Sequence, residues 1–339
     1  MEKVRLGRTN LIVTKLGWGG IPIQRTEEAQ AVSVIRAVVD MGVDLLDTAR
    51  GYTNSERKVG LALKGIDKPV ILSSKSPERT DKIYGQVHES LKQLQVKKIQ
   101  IYHLHNVSKF EDYEKVMGPG GAYEGLQRAR HEGLIDHIGL TSHSLDVLER
   151  VLTENRVEVI MTCYSFLEPE AANKVLPLAR AKDVGVLTMK PFSGGVIEDA
   201  GAALRFVLST PDIVPIPGTE TVEKARENWK IFREGLPDHK LTEEDHARIK
   251  QVRQEFNRQF CRRCDYCQPC SQNINIQMAM GLRAVVKRFP HEEVGWIKDI
   301  IEKARNCTEC GECLPRCPYQ LPIPELIKKN LEWFDNLKK

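Results

Sequence analysis

No apolar run in the sequence is long enough to span a bilayer, and the opening stretch "MEKVRLGRTNLIVTKLG" lacks the apolar core of a signal peptide. A membrane protein is not expected, and a cytoplasmic location is the default expectation. Charge of one sign is also scarce. Fifty Lys and Arg stand against 46 Asp and Glu, a net charge of +4, which argues against binding to nucleic acid or another polyanion. Cysteine is nearly missing from the first 260 residues, where Cys163 stands alone. There is no low-complexity tract, and no internal repeat outside the cysteine runs. The first predicted turn, "GWGGIPIQ", lacks the G-x-G-x-x-G of a doubly wound nucleotide-binding sheet.

What is present reads as a soluble globular chain. Charged residues make up 28% and hydrophobic ones 41% of 339 residues, a size that suits one large domain with a smaller one. From Leu16 to about Leu236, short apolar runs alternate with amphipathic stretches. Eight runs read as strands: "KLGWGG", "DLLDT", "VILSSK", "IQIYHLH", "HIGLTS", "VEVIMTC", "GVLTMK" and "IVPIPG". Helical stretches between them include "TEEAQAVSVIRAVVDMG", "TDKIYGQVHESLKQL", "AANKVLPLARAKDV" and "TVEKARENWKIFREG". In the first, Ala31, Val32, Ile35, Val38 and Val39 form an apolar stripe at helical spacing.

Eight strand–helix units in order predict an α/β fold, a (β/α)8 or TIM barrel. "LPDHK" marks its end. At Thr242, "TEED" reads as a capping box with Asp245 in the third helical position. The expected organisation is a barrel over residues 1–240, a connecting helix over 241–260 and a small, mainly α-helical, cysteine-rich domain over 261–339. Between its cysteine runs a helical segment extends from about Ile276 to Arg305, broken near "FPHEE".

Catalytic groups in such barrels sit where strands end and loops begin. Asp47 ends the second predicted strand, Tyr52 follows five residues later, Lys75 ends the third and His105 the fourth. These types make a reductase site. A carbonyl receiving a hydride builds negative charge on oxygen and needs a proton. A phenol is a poor shuttle at neutral pH, but a neighbouring ammonium favours the phenolate. An aspartate holds that lysine, and an imidazole steers the carbonyl oxygen. His103 is the competitor for His105, two residues earlier and on the same side of a regular strand; His105 is preferred because it lies at the strand's end. Cys163 reads as a small buried hydrophobe rather than a nucleophile.

At these residues, "DTARGY" with "NSE", "SSK" and "YHLH", the sequence resembles the aldo-keto reductase superfamily. The resemblance runs from about residue 3 to residue 252 and implies that Asp47, Tyr52, Lys75 and His105 are that family's catalytic tetrad. It implies NADP(H) as cofactor, with NAD(H) as the alternative, and a small-molecule carbonyl or alcohol as substrate. "IGLTSHS" resembles the strand that binds the nicotinamide carboxamide, through Thr141 and Ser142. "IPGTETVEKARENW" resembles the last strand and helix, which hold the adenosine end, through Gly218, Thr219, Lys224, Glu227 and Asn228. Gly19 and Gly20, at the end of the first strand, complete that set. The sequence departs from the family pattern at three places. Met161 stands where many members have a carboxamide-binding glutamine. Met189 and Lys190 stand where a stacking tyrosine is common. Gly218 replaces a basic residue at the 2′-phosphate, leaving Lys224 to reach it. "MKPFSGG" and the tail point to the subgroup with a C-terminal iron–sulfur module.

The tail holds eight of the nine cysteines. Cys307, Cys310, Cys313 and Cys317, followed by Pro318, have the spacing of a bacterial ferredoxin. Cys261, Cys264, Cys267 and Cys270 form a less regular run, with Ser271 in place of the proline. Thiolates suit zinc as well, but zinc sites pair their ligands across a longer loop. Two [4Fe–4S] clusters are expected. The resemblance to two-cluster ferredoxins, in which the fourth cysteine of each run serves the other cluster, implies Cys261, Cys264, Cys267 and Cys317 for one and Cys307, Cys310, Cys313 and Cys270 for the other. Thirteen Lys and Arg against ten Asp and Glu in residues 261–339 leave a basic excess suited to ferredoxin or another acidic electron carrier.

Hydride transfer moves two electrons, clusters move one, and nothing in the sequence reads as a flavin site. Three readings stand: an NAD(P)H-dependent oxidoreductase whose clusters exchange electrons with a partner, a carbonyl reductase with structural clusters, and a non-catalytic electron-transfer or sensor protein with a nucleotide-binding barrel.

Overall fold

The computed structural model describes residues 2–289 and 295–337. The chain divides into two compact units, Met1–Ile249 and Lys250–Lys339, and the division falls inside a helix, Glu243–Glu255.

The first unit opens with an antiparallel hairpin, β1 (Lys3–Arg5) and β2 (Ile12–Thr14). Eight parallel strands follow: β3 (Trp18–Gly19), β4 (Leu45–Asp47), β5 (Ile71–Ser76), β6 (Ile99–Leu104), β7 (Ile135–Ser142), β8 (Val159–Cys163), β9 (Gly185–Met189) and β10 (Ile213–Pro215). Their order in the sheet is their order in the chain. A parallel bridge from Gly19 to Gly218 and bonds from Gly17 N to Pro215 O (2.9 Å) and Gly19 N to Pro217 O (3.2 Å) join the last strand to the first. This is the expected TIM barrel.

Side chains alternate across each strand and sort into two apolar clusters. Leu45, Ile101, Val159, Met161, Leu187 and Val214 fill the lumen, joined by Leu6 and Val13 from the hairpin. Their neighbours Leu46, Tyr102, Ile160, Val186 and Ile213 face outward into the larger cluster shared with the helices. The lumen is therefore a packed core, and chemistry is confined to its polar rim.

In the helix Glu28–Met41 the buried stripe is Ala31, Val34, Ile35, Val38 and Val39. Val34 replaces the expected Val32, which is only partly buried; the i, i+3, i+4, i+7 stripe starting at Ala31 passes through 34 and 35. The helix ends at Gly42, whose φ of 104° needs glycine. The capping box before Glu243–Glu255 is reciprocal: Asp245 N donates to Thr242 Oγ1 (3.1 Å) and Thr242 N donates to Asp245 Oδ2 (2.9 Å).

The second unit is helical, with Ile276–Met280, Leu282–Arg288, Gly295–Arg305 and Ile323–Asn336. Gly281 separates the first two; the expected break at "FPHEE" falls on Phe289 and on residues outside those described. Asn330, nearly buried, donates to Ala279 O (3.0 Å) and Met280 O (2.9 Å), tying the last helix to the C-terminal carbonyls of the first. No helix among the described residues is long and apolar enough to cross a membrane.

Candidate active site and cysteine-lined cavities

Asp47, Tyr52, Lys75 and His105 meet at the C-terminal rim of the barrel. The first and third are delivered by parallel neighbours, since Asp47 pairs in register with Ser73, two residues before Lys75. Asp47 and Lys75 are 2% and 1% exposed, which makes their pairing obligatory. Lys75 Nζ lies 2.5 Å from Asp47 Oδ2 and donates to Thr48 O at 2.8 Å. Its ammonium is 4.9 Å from the centre of the Tyr52 ring, and Tyr52 meets the His105 ring edge-on at 5.8 Å. The backbone carries the group outward: Arg50 N bonds Lys75 O (2.9 Å) and His105 N bonds Ser76 O (3.0 Å).

Burial is the largest influence on both members of the ion pair. It raises the Asp47 pKa against the pull of Lys75 and Ser73. It works to lower that of Lys75, but the charges of Asp47 and Tyr52 outweigh it and leave the lysine raised. Lys75 thus stays an ammonium near pH 7. Burial, then Lys75, Arg79, His103 and Lys190, push His105 well below the ordinary histidine value, so its imidazole is neutral near pH 7.

The other expected site residues scatter along the same rim and beyond it. Thr141 Oγ1 accepts from Asn106 N at 2.8 Å, and Ser142 Oγ accepts from Ser144 N at 2.9 Å. Met161 is buried in the lumen cluster. Lys190 follows β9 with a φ of 60° and its Nζ lies 2.7 Å from His143 Nε2. Gly19 and Gly218 serve the barrel seam, and Gly20 packs against Ser55 and Asp47. A Cβ on Gly19 would lie 2.8 Å from Ile216 O, on Gly20 2.7 Å from Ser55 Oγ, and on Gly218 2.6 Å from Pro22 Cδ. Thr219 is buried and accepts from Trp18 Nε1 at 3.0 Å. On the helix Val222–Glu234, Lys224 pairs with Glu220 at 2.5 Å, Glu227 is exposed and Asn228 buried. Hydroxyls at the end of β7 (Thr141, Ser142) and in the loop after β10 (Thr219), with the N-terminus of Val222–Glu234 beyond, form a donor set that fits a phosphorylated dinucleotide. Cys163 is buried at the end of β8.

Sequence reasoning missed the supports of this rim. Glu56, almost fully buried, accepts from Arg50 Nη1 and from Ser74 Oγ, each at 2.7 Å, and so ties the Tyr52 loop to β5. Ser73 joins Asp47 to His103. The signal was present as polar residues on both faces of a buried strand, "LSSKS".

In the second unit, two cavities take four cysteines each. One is lined by Cys261, Cys264, Cys267 and Cys317, the other by Cys270, Cys307, Cys310 and Cys313. Ile276 and Ile323 line both and form a shared wall. Burial pushes the Cys267 thiol up to about 12 and raises Cys264 and Cys313 as well. Such thiols ionise only when a metal takes the proton's place. Four soft donors around an apolar pocket fit an iron–sulfur cluster.

The fold and rim define a (β/α)8-barrel enzyme with a C-terminal cysteine-rich domain. The chain belongs to the aldo/keto reductase family of oxidoreductases, whose family model matches residues 14–202, and its tail carries a 4Fe-4S dicluster domain, matched over residues 260–322. Among curated relatives, L-galactose dehydrogenase of Arabidopsis thaliana is 28% identical over 221 residues, covering 59% of this chain and 68% of that one. D-threo-aldose 1-dehydrogenase of a Pseudomonas species is 26% identical, covering 55% and 68%. An aldo-keto reductase of Bacillus halodurans in its holo form superposes with a TM-score of 0.63 at 24% identity, covering 74% of this chain and 96% of that one. A Klebsiella pneumoniae aldo-keto reductase in complex with NADPH gives 0.61 at 20% identity, covering 74% and 94%.

Proposed function

We propose that the barrel reduces a small-molecule carbonyl with NADPH and that the tail holds two [4Fe–4S] clusters that exchange electrons with a carrier protein such as ferredoxin. The observation that carries the first half is the convergence of Asp47, Tyr52, Lys75 and His105 on one rim. A bound nicotinamide would supply the hydride. Tyr52 gives its proton to the carbonyl oxygen as the hydride arrives at carbon, and recovers one from solvent after the alcohol leaves. Lys75, held by Asp47 and Thr48 O, stabilises the transient phenolate. His105 is neutral and directs the carbonyl oxygen toward Tyr52 by a hydrogen bond; with its pKa so depressed it is a poor proton source, which leaves that task to Tyr52.

In this reading Thr141, Ser142, Met161 and Lys190 surround the nicotinamide. Gly19, Gly20, Gly218, Thr219, Lys224, Glu227 and Asn228 lie along the rest of the cofactor. Lys224 exchanges its exposed pair with Glu220 for a 2′-phosphate, the contact that favours NADPH over NADH. The barrel domain spans residues 1–240 and the cluster domain 261–339. Clusters held by free thiolates belong in a reducing compartment such as the cytoplasm.

A second reading, structural clusters, is favoured by one observation. Cys267 and Cys317 are built into the apolar core of their unit, against Ile274, Ile276, Leu321, Ile323 and Ile327. A titration of the anaerobically purified protein with NADPH and NADH, read by cofactor fluorescence, and an assay of NADPH oxidation with aromatic and aliphatic aldehydes test the main reading. Binding with turnover is expected. No binding of either nucleotide overturns it.

A further inference from the structure

His103 is a fully buried titratable group to which the mechanism gives no task. It lies on β6, paired with Lys75 on one side and Gly139 on the other. Its ring occupies a socket made by a missing side chain: a Cβ on Gly139 would lie 2.1 Å from His103 Nδ1. His103 Nε2 is 3.0 Å from Ser73 Oγ, and Ser73 Oγ donates to Asp47 Oδ1 at 2.7 Å. Asp47 Oδ2 faces Lys75.

The direction of these bonds follows from a count of protons. Ser73 has one hydroxyl proton, and an ion-paired carboxylate only accepts. The Ser73 proton therefore goes to Asp47. The contact with His103 is then a bond donated by Nε2–H and accepted by Ser73 Oγ. Nδ1, which has no hydrogen-bond partner, is the bare nitrogen of a neutral ring. Bonds in such a chain polarise one another, so the imidazole strengthens the hydroxyl's bond to the carboxylate.

We propose that His103 and Ser73 are positioning residues for the tetrad: a hydrogen-bond chain from His103 Nε2–H through Ser73 to Asp47 Oδ1 holds the carboxylate ionised, with its other oxygen aimed at Lys75. The proposal rests on the tetrad reading above. Without the chain, Lys75 alone opposes the burial of Asp47. A carboxyl that takes a proton there no longer anchors the ammonium on which Tyr52 depends.

The test uses the full-length, cluster-loaded protein. In the wild type labelled with 15N-histidine, the ring resonances lost in His103→Gln identify His103. They should show the neutral Nε2–H tautomer; an Nδ1–H tautomer or an imidazolium overturns the proposal. His103→Leu and His103→Gln are then compared with NADPH and 4-nitrobenzaldehyde. Leucine is the better core filler, whereas glutamine keeps an N–H donor. His103→Leu should lower kcat about tenfold with KM little changed, the worth of one buried hydrogen bond lost from the chain. His103→Gln should stay within roughly threefold of wild type. Equal activity of the two variants, or a better leucine variant, overturns the proposal. Tyr52→Phe, run alongside, separates the two claims: full turnover in that variant means the tetrad reading itself has failed.

Discussion

At the scale of single residues, burial decides protonation. Asp47 and Lys75 are charged because each is the other's compensation, while His103 and His105 are neutral because Lys75 and burial both oppose a second cation. For His103 this has a consequence for stability. Burial, then the Lys75 charge, hold its folded pKa well below the ordinary 6.5. The unfolded chain titrates near that ordinary value and binds a proton that the native protein refuses. The contribution is fully present above about pH 6.5 and is lost as pH falls toward the depressed folded value, by up to about 1.4 kcal/mol per pH unit. Urea unfolding at pH 7 and pH 5.5 should show a smaller loss in His103→Gln than in the wild type. An identical loss in both would mean that His103 is not its source.

The four residues proposed as a tetrad were legible at this scale because Asp47, Lys75 and His105 are polar groups at strand ends and Tyr52 lies in the loop after the first of them. Glu56, Ser73 and the role of His103 were not. Their importance depends on which side chain faces which across neighbouring strands, and no spacing along one strand encodes that. "YHLH" presented two histidines on one side; the register with Gly139 decides that His103 sinks into the lumen while His105 stands at the rim.

At the scale of elements, all eight barrel strands were legible as short apolar runs between amphipathic helices. The β1–β2 hairpin was not, because its strands are three residues each and the alternation is too short to register. The glycines show the limit of reading by resemblance. Gly19, Gly20 and Gly218 stand at cofactor positions by family likeness, and close packing also requires a small residue at each. The seam between β3 and β10 brings backbone to within a side chain's width. Gly19→Ala should therefore destabilise the barrel by about 2 kcal/mol through its contact with Ile216 O, measured by thermal unfolding. Lost NADPH affinity with unchanged stability would instead mark Gly19 as a cofactor contact first.

At the scale of the whole molecule, the sequence announced two kinds of redox chemistry, and the structure describes each unit with its own site. The cysteine pairing expected from ferredoxin likeness is the grouping in which the eight thiols line the two cavities. The common wall of Ile276 and Ile323 sets the two cysteine-lined cavities side by side. If both fill, the clusters are near enough for their spins to interact. Dithionite reduction of the anaerobic protein should give an EPR spectrum broadened by coupling between two clusters, and Cys310→Ser should collapse it to a single uncoupled signal. A wild-type spectrum that is already uncoupled would contradict two occupied neighbouring sites.

In the proposed reaction this rim protonates a carbonyl through Tyr52. Tyr52→Phe removes one oxygen from a partly buried ring and leaves Asp47, Lys75 and His105 in place. With an aldehyde that the wild type reduces, kcat should fall by at least about 100-fold, the usual worth of a general acid, while the dissociation constant for NADPH stays within about twofold. Turnover retained in Tyr52→Phe would contradict the account.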